Sequence, residues 1–288
     1  MTVVVFGAGG IIGQEMIHCA PEHPAIYTNR SGGGAYAAFD AESESVNGFL
    51  DRHAPDVVVN LMGENRVDVV ESDPESHRHV NVKIPEQIAW WCGLNKARLV
   101  HVSTQGIFSG ENAPYSPHSS PHPITEYGKQ KREAELAVIG SSARNLIIAR
   151  LTFVIGVRRE DRGRKNPLES MFEDSDQIQV DDRFFSPVWS VDAARILWEL
   201  VESDRVGIVH VGEPVKCSRY TLACEAAWGT LRNVPIQAAS HRFFKGIAPR
   251  PRDTTWSREA LYYTHYQTAI LESYIQWRQQ RGDKSVES

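Results

Sequence analysis

A glycine-rich turn lies between the first apolar run of the chain and its first helix-like segment. Residues 3–6 are strongly apolar, and helical periodicity follows over residues 11–19. Gly7, Gly9 and Gly10 separate them, and Gly13 follows in the first turn of the helical segment; Gly7, Gly10 and Gly13 are spaced as GxxGxxG. Glycine lets the backbone turn sharply, and the start of a helix offers free N–H groups and a positive dipole end. This order predicts a pyrophosphate-binding turn that includes Ile11 and Ile12, although a turn that binds nothing is the alternative.

Short apolar runs alternate with longer amphipathic segments along the first half of the chain. The predicted strands are residues 3–6, 25–28, 57–61, 99–103 and 146–151. The predicted helices are residues 11–19, 46–53, 85–94, 126–139 and 191–202. Such alternation is typical of an α/β fold, and the glycine turn favours a Rossmann-type doubly wound parallel sheet.

The second half of the chain differs from the first in its pattern. We predict a dinucleotide-binding domain at residues 1–155 and a smaller C-terminal substrate-binding lobe at residues 156–288. The strand-like residues 207–211 are expected to return to the main sheet. Residues 109–125, dense in Pro, Ser and His, and the charged residues 158–166 predict loops, and residues 279–288 predict a loose tail.

Composition excludes several classes of function. A net charge of -5 provides no basic footprint, so we expect no nucleic-acid partner. No apolar run is long enough to span a membrane, and the start of the chain lacks a signal sequence, so we expect a cytoplasmic protein. Four cysteines without metal-like spacing predict reduced thiols and no metal site; they are Cys19, Cys92, Cys217 and Cys224.

The end of the second predicted strand indicates which dinucleotide binds. An NAD site often carries Asp or Glu there, because an acid bonds the ribose hydroxyls and repels a 2′-phosphate. This chain has Asn29 and Arg30 instead, and a guanidinium attracts that phosphate. The sequence therefore favours NADP(H) over NAD(H), with a solvated loop cation as the alternative for Arg30.

Tyr127 and Lys131 lie four residues apart on a predicted helix and so share one face. A free tyrosine has a pKa near ~10. The lysine charge, together with a cationic nicotinamide, is expected to lower the pKa of Tyr127 so that its hydroxyl can exchange a proton near neutral pH. Because the YxxxK pattern also arises by chance, a solvated lysine is the alternative reading of Lys131.

Several ordered motifs resemble the extended short-chain dehydrogenase/reductase superfamily and, within it, the dTDP-4-dehydrorhamnose reductase family. The resembling segments are the GxxGxxG turn, Val58-Val59-Asn60, Val67-Asp68-Val69-Val70-Glu71-Ser72-Asp73-Pro74, Asn81, Val102-Ser103-Thr104-Gln105-Gly106-Ile107-Phe108-Ser109-Gly110, Tyr127-Gly128-Lys129-Gln130-Lys131, Arg150-Leu151-Thr152 and Arg250-Pro251-Arg252-Asp253. The resemblance spans most of the chain. It implies NADPH-dependent reduction of the 4-keto group of a nucleotide-linked deoxysugar.

The resemblance also assigns roles to residues. Thr104 would bond the substrate carbonyl, Tyr127 would protonate it, and Lys131 would hold the nicotinamide ribose. Asn60, Leu61 and Met62 would border the cofactor. Gln105, a candidate substrate-binding residue, stands where the family usually has Asp; because a neutral amide cannot act as a carboxylate, either the orientation of the substrate or the exact sugar is expected to differ.

The nucleotide half of such a substrate needs cations for its diphosphate and an aromatic wall. Arg183, Arg250 and Arg252 are the candidate cations, and Phe185 and Trp189 are the candidate wall. Solvated arginines and core aromatics are the ordinary alternatives.

Two other functions remain open at this point. A nucleotide-sugar epimerase or dehydratase would keep NAD tightly bound, and a non-catalytic regulatory subunit would bind NADP without turnover. Arg30 favours the reductase over the first, and the presence of Thr104, Tyr127 and Lys131 favours it over the second. The sequence leaves a homodimer open.

Overall fold

The computed structural model describes residues 1–159, 166–173, 175–244 and 246–282, which are built around a seven-stranded parallel sheet. The strands of the molecule are β1 (Val3–Phe6), β2 (Ala25–Asn29), β3 (Tyr36–Ala38), β4 (Val57–Asn60), β5 (Arg98–Thr104), β6 (Leu146–Leu151), β7 (Phe153–Ile155), β8 (Gln177–Val180), β9 (Phe184–Phe185), β10 (Pro187–Trp189), β11 (Gly207–Val211), β12 (Ile236–Ala239) and β13 (Asp253–Thr254). The helices are α1 (Ile11–His18), α2 (Val46–His53), α3 (Val67–Ser72), α4 (Pro74–Arg78), α5 (Ile84–Asn95), α6 (Glu126–Gly140), α7 (Pro167–Met171), α8 (Ser190–Glu202), α9 (Arg219–Gly229) and α10 (Tyr266–Gln280). A π-helical turn, His79–Lys83, joins α4 to α5, and short 3-10 turns cover Gln105–Ile107 and His241–Phe243.

The strand order in the main sheet is β11-β6-β5-β4-β1-β2-β3. The chain winds outward from β1 in one direction through β2 and β3, and in the other through β4, β5, β6 and β11. In such a sheet a crevice opens at the carboxyl ends of the strands where the winding reverses. Here that point lies between β1 and β4, which pair in register from Val3 with Val57 to Phe6 with Asn60.

Helices cover both faces of this sheet. One face packs against α1 and α8 and buries side chains such as Met16 and Leu197. The other packs against α2, α5 and α6 and buries Phe49, Ile88 and Val138. Because both faces are covered, β1 and β4 are buried at every position, which explains why β1 and residues 57–59 of β4 are apolar without a break.

A second apolar core begins with β7, at residue 153. It joins α7, α9 and α10 with β7 and β9, through residues such as Phe172, Leu222 and Ile270. Three short parallel pairs, β7 with β10, β8 with β12 and β9 with β13, complete this part. Strand β11 instead pairs with β6 at the edge of the main sheet.

The predicted α/β class and Rossmann-type parallel sheet are confirmed. Residues 160–165 of the predicted charged loop and 283–288 of the predicted tail lie outside the described residues. The prediction of a loose tail is wrong for Gln279 and Gln280, which close α10. No helix within the described ranges combines the length and the apolar character that a membrane crossing requires.

Candidate active site

A cleft of about 1380 Å³ opens where the turns after β1, β4, β5 and β6 meet the second apolar core. Most of the residues singled out by the sequence border it. They are Gly7, Gly10, Ile11, Ile12, Gly13, Leu61, Met62, Thr104, Gln105, Tyr127, Lys131, Arg183, Phe185 and Arg250. The glycine turn and the YxxxK helix therefore face the same space, although they are more than a hundred residues apart in the chain.

The glycine turn is closely packed at its helical end. Helix α1 begins after Gly10, and a Cβ atom on Gly13 would lie 2.3 Å from the Cα of Ala8. Only glycine allows α1 to pack this closely against the turn that follows β1. The first turn of α1 is thereby held at the wall of the cleft.

Thr104 ends β5 and contacts the helix that carries Tyr127. The Thr104 Oγ1 accepts a hydrogen bond of 3.1 Å from the Gly106 amide, which starts the 3-10 turn. The same side chain is hydrogen-bonded to Tyr127. Helix α6 begins at Glu126 because the Thr125 side chain caps it, accepting from the Gly128 amide at 2.9 Å. Local capping thus places Tyr127 in the first turn of α6, opposite Thr104.

The protonation of Tyr127 differs from the prediction. Burial raises the pKa of Tyr127 to about 12, the Thr104 hydrogen bond lowers it and the charge of Glu64 raises it further. Two charges were predicted to lower this pKa, that of Lys131 and that of a bound nicotinamide. The Lys131 charge alone does not offset the effect of burial. The phenol keeps its proton across the neutral range, which suits a proton donor better than a base.

Lys131 is buried on the next turn of α6. Its Nζ donates a hydrogen bond of 2.8 Å to the Val102 carbonyl of β5. Burial lowers the pKa of Lys131 to about 8, although the Glu135 carboxylate raises it. The alternative of a solvated surface lysine does not describe this side chain, which is 4% exposed.

Two buried asparagines shape the wall of the cleft. Asn60 Oδ1 accepts from the Met62 amide at 3.0 Å, and its Nδ2 lies 3.3 Å from His101 Nδ1. Asn81 Oδ1 accepts from the Glu64 amide at 2.8 Å, and its Nδ2 donates to Gln130 of α6 at 2.9 Å. Both residues hold the backbone of residues 61–64 in place beside the cleft.

Gln105, the departure from the family pattern, contacts Thr152 beside the cleft. The Thr152 hydroxyl lies within hydrogen-bond distance of both Gln105 Oε1 and the Ser186 carbonyl. A hydroxyl carries one proton and both of these oxygens accept, so Thr152 donates to one of them at a time. The contact uses the side-chain oxygen of Gln105, which a carboxylate at this position would also offer.

The predicted cations differ in their surroundings. Arg250 Nη2 donates to Asp68 at 2.6 Å, and the same carboxylate accepts from the amides of Ile247 and Ala248. Burial lowers the pKa of Arg183, as does the nearby Arg250 charge. The buried Nε of Arg183 has no hydrogen-bond partner among the described residues. Arg183 is thus the candidate cation better placed to receive an anionic ligand.

Five predicted site residues do not border the cleft. Asn29 caps its own turn, its Oδ1 accepting from the amides of Ser31 and Gly32. Arg30 is 72% exposed and pairs with Asp40 at 3.1 Å. Trp189 packs against the second apolar core, and Arg252 is exposed. Asn60, the fifth, is fully buried behind the cleft wall.

The cleft also contains residues that the sequence reasoning missed. Arg219 opens α9 and borders the cleft; burial lowers its pKa, and its buried Nε has no partner within the described ranges. Phe153 stacks on Phe185 with ring centroids 4.2 Å apart. The sequence feature that could have pointed to Arg219 is Ser218, because a serine at this position is typical of the residue that caps the start of a helix.

No group of three or more His, Cys, Asp or Glu side chains among the described residues is arranged to hold a metal ion.

Comparison with known proteins places this arrangement in a family. The RmlD substrate binding domain family matches residues 1–281. This chain belongs to that family. The resemblance to dTDP-4-dehydrorhamnose reductases that the sequence motifs indicate is confirmed, because solved structures of such reductases match the fold and a dTDP-4-keto-6-deoxy-D-glucose reductase matches the sequence.

Individual relatives are distant from this member of the family. The chain is 28% identical over 287 residues to a dTDP-4-keto-6-deoxy-D-glucose reductase of Streptomyces niveus, covering 94% of this chain and 96% of the relative. It is 27% identical over 199 residues to methionine adenosyltransferase 2 subunit beta of Rattus norvegicus, covering 65% of this chain and 58% of the relative. The fold matches dTDP-4-dehydrorhamnose reductase from Bacillus anthracis str. Ames in complex with NADP, with a TM-score of 0.85, 19% identity, and coverage of 96% of this chain and 99% of that one.

Proposed function

We propose that this protein is an NADPH-dependent reductase of the 4-keto group of a nucleotide-activated deoxysugar. The observation that carries the proposal is the meeting of Thr104, Tyr127 and Lys131 with the glycine turn in one cleft. The relative from Streptomyces niveus, which shares nearly the whole length of the chain, is named as a reductase of this kind.

The side chains present suit the chemistry. Bound NADPH supplies the hydride that reduces the carbonyl carbon. The Tyr127 hydroxyl, which keeps its proton at neutral pH, donates it to the carbonyl oxygen as negative charge develops there. The Thr104 hydroxyl would stabilise the same oxygen, and the Lys131 ammonium would hold the nicotinamide ribose. The products are the 4-hydroxy sugar and NADP⁺.

The cofactor preference rests on the turn after β2. Gly7, Gly10 and Gly13 offer the first turn of α1 to a pyrophosphate, and Arg30 is exposed beside the end of β2. The structural relative from Bacillus anthracis holds NADP. An exposed guanidinium in this position favours the 2′-phosphate.

Replacing Arg30 with alanine is expected to weaken NADPH binding about tenfold and leave NADH binding within about twofold. One charge-assisted hydrogen bond to the 2′-phosphate contributes roughly 1.5 kcal/mol, which corresponds to such a factor. Fluorescence titration with each nucleotide measures both affinities. Equal losses for NADPH and NADH would contradict the role of Arg30.

The proposed substrate site lies between the two apolar cores. We propose that residues 1–155 mainly hold the cofactor and residues 156–288 mainly cover the substrate. Arg183 and Arg219 would meet the diphosphate, with Phe185 and Phe153 forming an aromatic wall. Arg250 would support this side of the cleft through its ion pair with Asp68.

The proposed reductase loses activity on the alkaline side as Lys131 loses its proton. Since the pKa of Lys131 is about 8, the ammonium is intact below that pH and is lost as pH rises through it. We expect kcat/KM to be level near pH 6.5 and to fall by about tenfold per pH unit well above pH 8. A pH profile of NADPH oxidation tests this, and a level profile to pH 10 would contradict it.

A regulatory subunit is the second candidate, because the match to methionine adenosyltransferase 2 subunit beta covers 65% of the chain. A panel of 4-keto nucleotide sugars with NADPH separates the candidates. The reductase oxidises NADPH in proportion to substrate; a regulatory subunit binds NADPH without turnover. An epimerase or dehydratase would show tightly held NAD and no net oxidation.

We also propose a homodimer in the cytoplasm. Helices α5 and α6 pack side by side and expose apolar side chains on their outer faces, where a second copy would bury them. These side chains are Trp90, Leu94, Leu136 and Ile139. All four cysteines are free, as a reducing compartment would keep them. Light scattering of the intact protein measures the oligomeric state.

A further inference from the structure

A buried ion pair lies one helical turn beyond Lys131. Glu135 of α6 is 0% exposed, and Arg150 of β6 is 1% exposed. Two parallel hydrogen bonds join them, from Nε to Oε1 at 2.9 Å and from Nη2 to Oε2 at 2.9 Å. Burying two charges is costly, and apolar residues of the same volume often stabilise a fold as well or better. A purely structural role is therefore a weak explanation for charges at this position.

The spacing along α6 connects the pair to the proposed chemistry. Tyr127, Lys131 and Glu135 follow at four-residue intervals and so lie on one face of the helix. Glu135 is thus the acidic residue one turn from a buried ammonium. The Lys131 Nζ donates to the Val102 carbonyl, whereas Glu135 acts on Lys131 through its charge.

Arg150 fixes the carboxylate from outside the helix. Besides its two bonds to Glu135, its Nη1 donates to the Pro117 carbonyl at 3.2 Å, and its guanidinium carbon lies 5.5 Å from the centre of the Phe108 ring. Arg150 therefore joins α6 and β6 to the residues that follow the Thr104 turn. The Glu135 carboxylate is thereby held in one orientation.

We propose that Glu135, held in place by Arg150, is a positioning residue that keeps Lys131 charged inside the buried site. This inference rests on the proposed reductase function, in which the Lys131 ammonium is the working form. Neither Glu135 nor Arg150 borders the cleft, so neither would contact substrate or cofactor.

Other charged and titratable groups also act around Lys131. His101 of β5 faces it and is held neutral, because burial and the Lys131 charge lower its pKa well below the usual value. Tyr127 lies one turn before it, and the Glu64 charge acts on Tyr127 from the loop after β4. Three further charged groups lie at the rim of α6. Glu71 accepts a hydrogen bond from the Glu126 amide, and Arg78 pairs with Glu133. Arg132 donates to Glu135 at 3.0 Å. Glu135 is the carboxylate whose charge raises the pKa of Lys131.

Glu135→Gln tests the proposal, because it keeps one acceptor for Arg150 and removes the charge. We expect the alkaline limb of kcat/KM to move about one unit lower. Relative to the unmodified enzyme, activity then falls by about eightfold at pH 8.5 and by less than about twofold at pH 6.5. The matched control is Glu133→Gln on the same helix, whose pair with Arg78 is at the surface, and its profile is expected to stay unchanged.

A merely structural role gives a different result. Activity of Glu135→Gln would then fall by the same factor at every pH, with the alkaline limb unmoved, and that outcome overturns the proposal. If this variant does not fold, Glu135→Gln combined with Arg150→Gln removes both charges and retains hydrogen-bonding side chains. The double variant is expected to shift the limb in the same direction by a smaller amount, and an unmoved limb in it also overturns the proposal.

A direct titration of Lys131 keeps this test separate from the proposed reaction. The NMR signal of the lysine ε-carbon, assigned from its loss in Lys131→Gln, reports the protonation of Lys131 in the intact protein without substrate. A lower titration midpoint in Glu135→Gln supports the proposal even if no sugar is reduced. An identical midpoint in the folded variant overturns it, whatever reaction the protein catalyses.

Discussion

Tyr127→Phe is expected to lower kcat for sugar reduction by about 10³-fold while leaving NADPH affinity within about threefold. The substitution removes one hydroxyl, the group that hydrogen-bonds Thr104 and would donate the proton. General acid catalysis by a positioned side chain typically raises the rate by about 10²–10⁴-fold, and we expect a value near the middle of this range here. Stopped-flow absorbance of reduced nicotinamide gives kcat, and fluorescence titration gives the affinity.

A second tyrosine serves as the control for Tyr127→Phe. Tyr263 is half-exposed and its hydroxyl bonds Glu199, away from the cleft. Tyr263→Phe is expected to leave kcat unchanged. If Tyr127→Phe retained more than about a tenth of the activity, another group would supply the proton and the assignment of Tyr127 would fail.

Gly128→Ala is expected to lower kcat by about 10²-fold, although it adds a single methyl group. A Cβ atom at residue 128 would lie 2.2 Å from the Gly106 carbonyl oxygen, so α6 would have to move away from the turn that follows Thr104. The hydrogen bond between Thr104 and Tyr127 spans this contact. A misplacement of about 1 Å at reacting groups can cost on the order of 10²-fold in rate.

Gly140→Ala is the matched control on the same helix. Nothing lies within 4 Å of a Cβ atom built at residue 140, and alanine favours helix formation over glycine by up to about 1 kcal/mol. We expect this variant to have unchanged kcat and equal or higher thermal stability. If Gly128→Ala retained full activity, α6 would not set the spacing between Thr104 and Tyr127.

The strands of the main sheet could be predicted where burial on both faces leaves apolar runs, as in β1, residues 57–59 of β4 and residues 146–149 of β6. Strand β3 could not, because its three residues follow the glycines at 32–34 and carry no periodicity. Helices α9 and α10 were missed as well. Their buried positions face a small core that assembles only in three dimensions.

The proposed catalytic residues were accessible from the sequence because Tyr127 and Lys131 are local in the chain. Partners that lie far apart were not. Arg250 pairs with Asp68 across 182 residues, and no local pattern encodes that choice. The effect of burial on the pKa of Tyr127 could not be predicted either, because the sequence shows the neighbouring lysine but not the depth of burial, which raises this pKa.

Isotope transfer from the cofactor to the sugar tests the central claim most directly. The protein would be given NADPH deuterated at the transferable position of the nicotinamide, together with a 4-keto nucleotide deoxysugar, and the product analysed by NMR. We expect one deuterium at carbon 4 of the sugar for each NADP⁺ formed, with none transferred by Tyr127→Phe on the same timescale. Sugar that is converted without net oxidation of NADPH, or that is reduced without deuterium at carbon 4, would contradict the account.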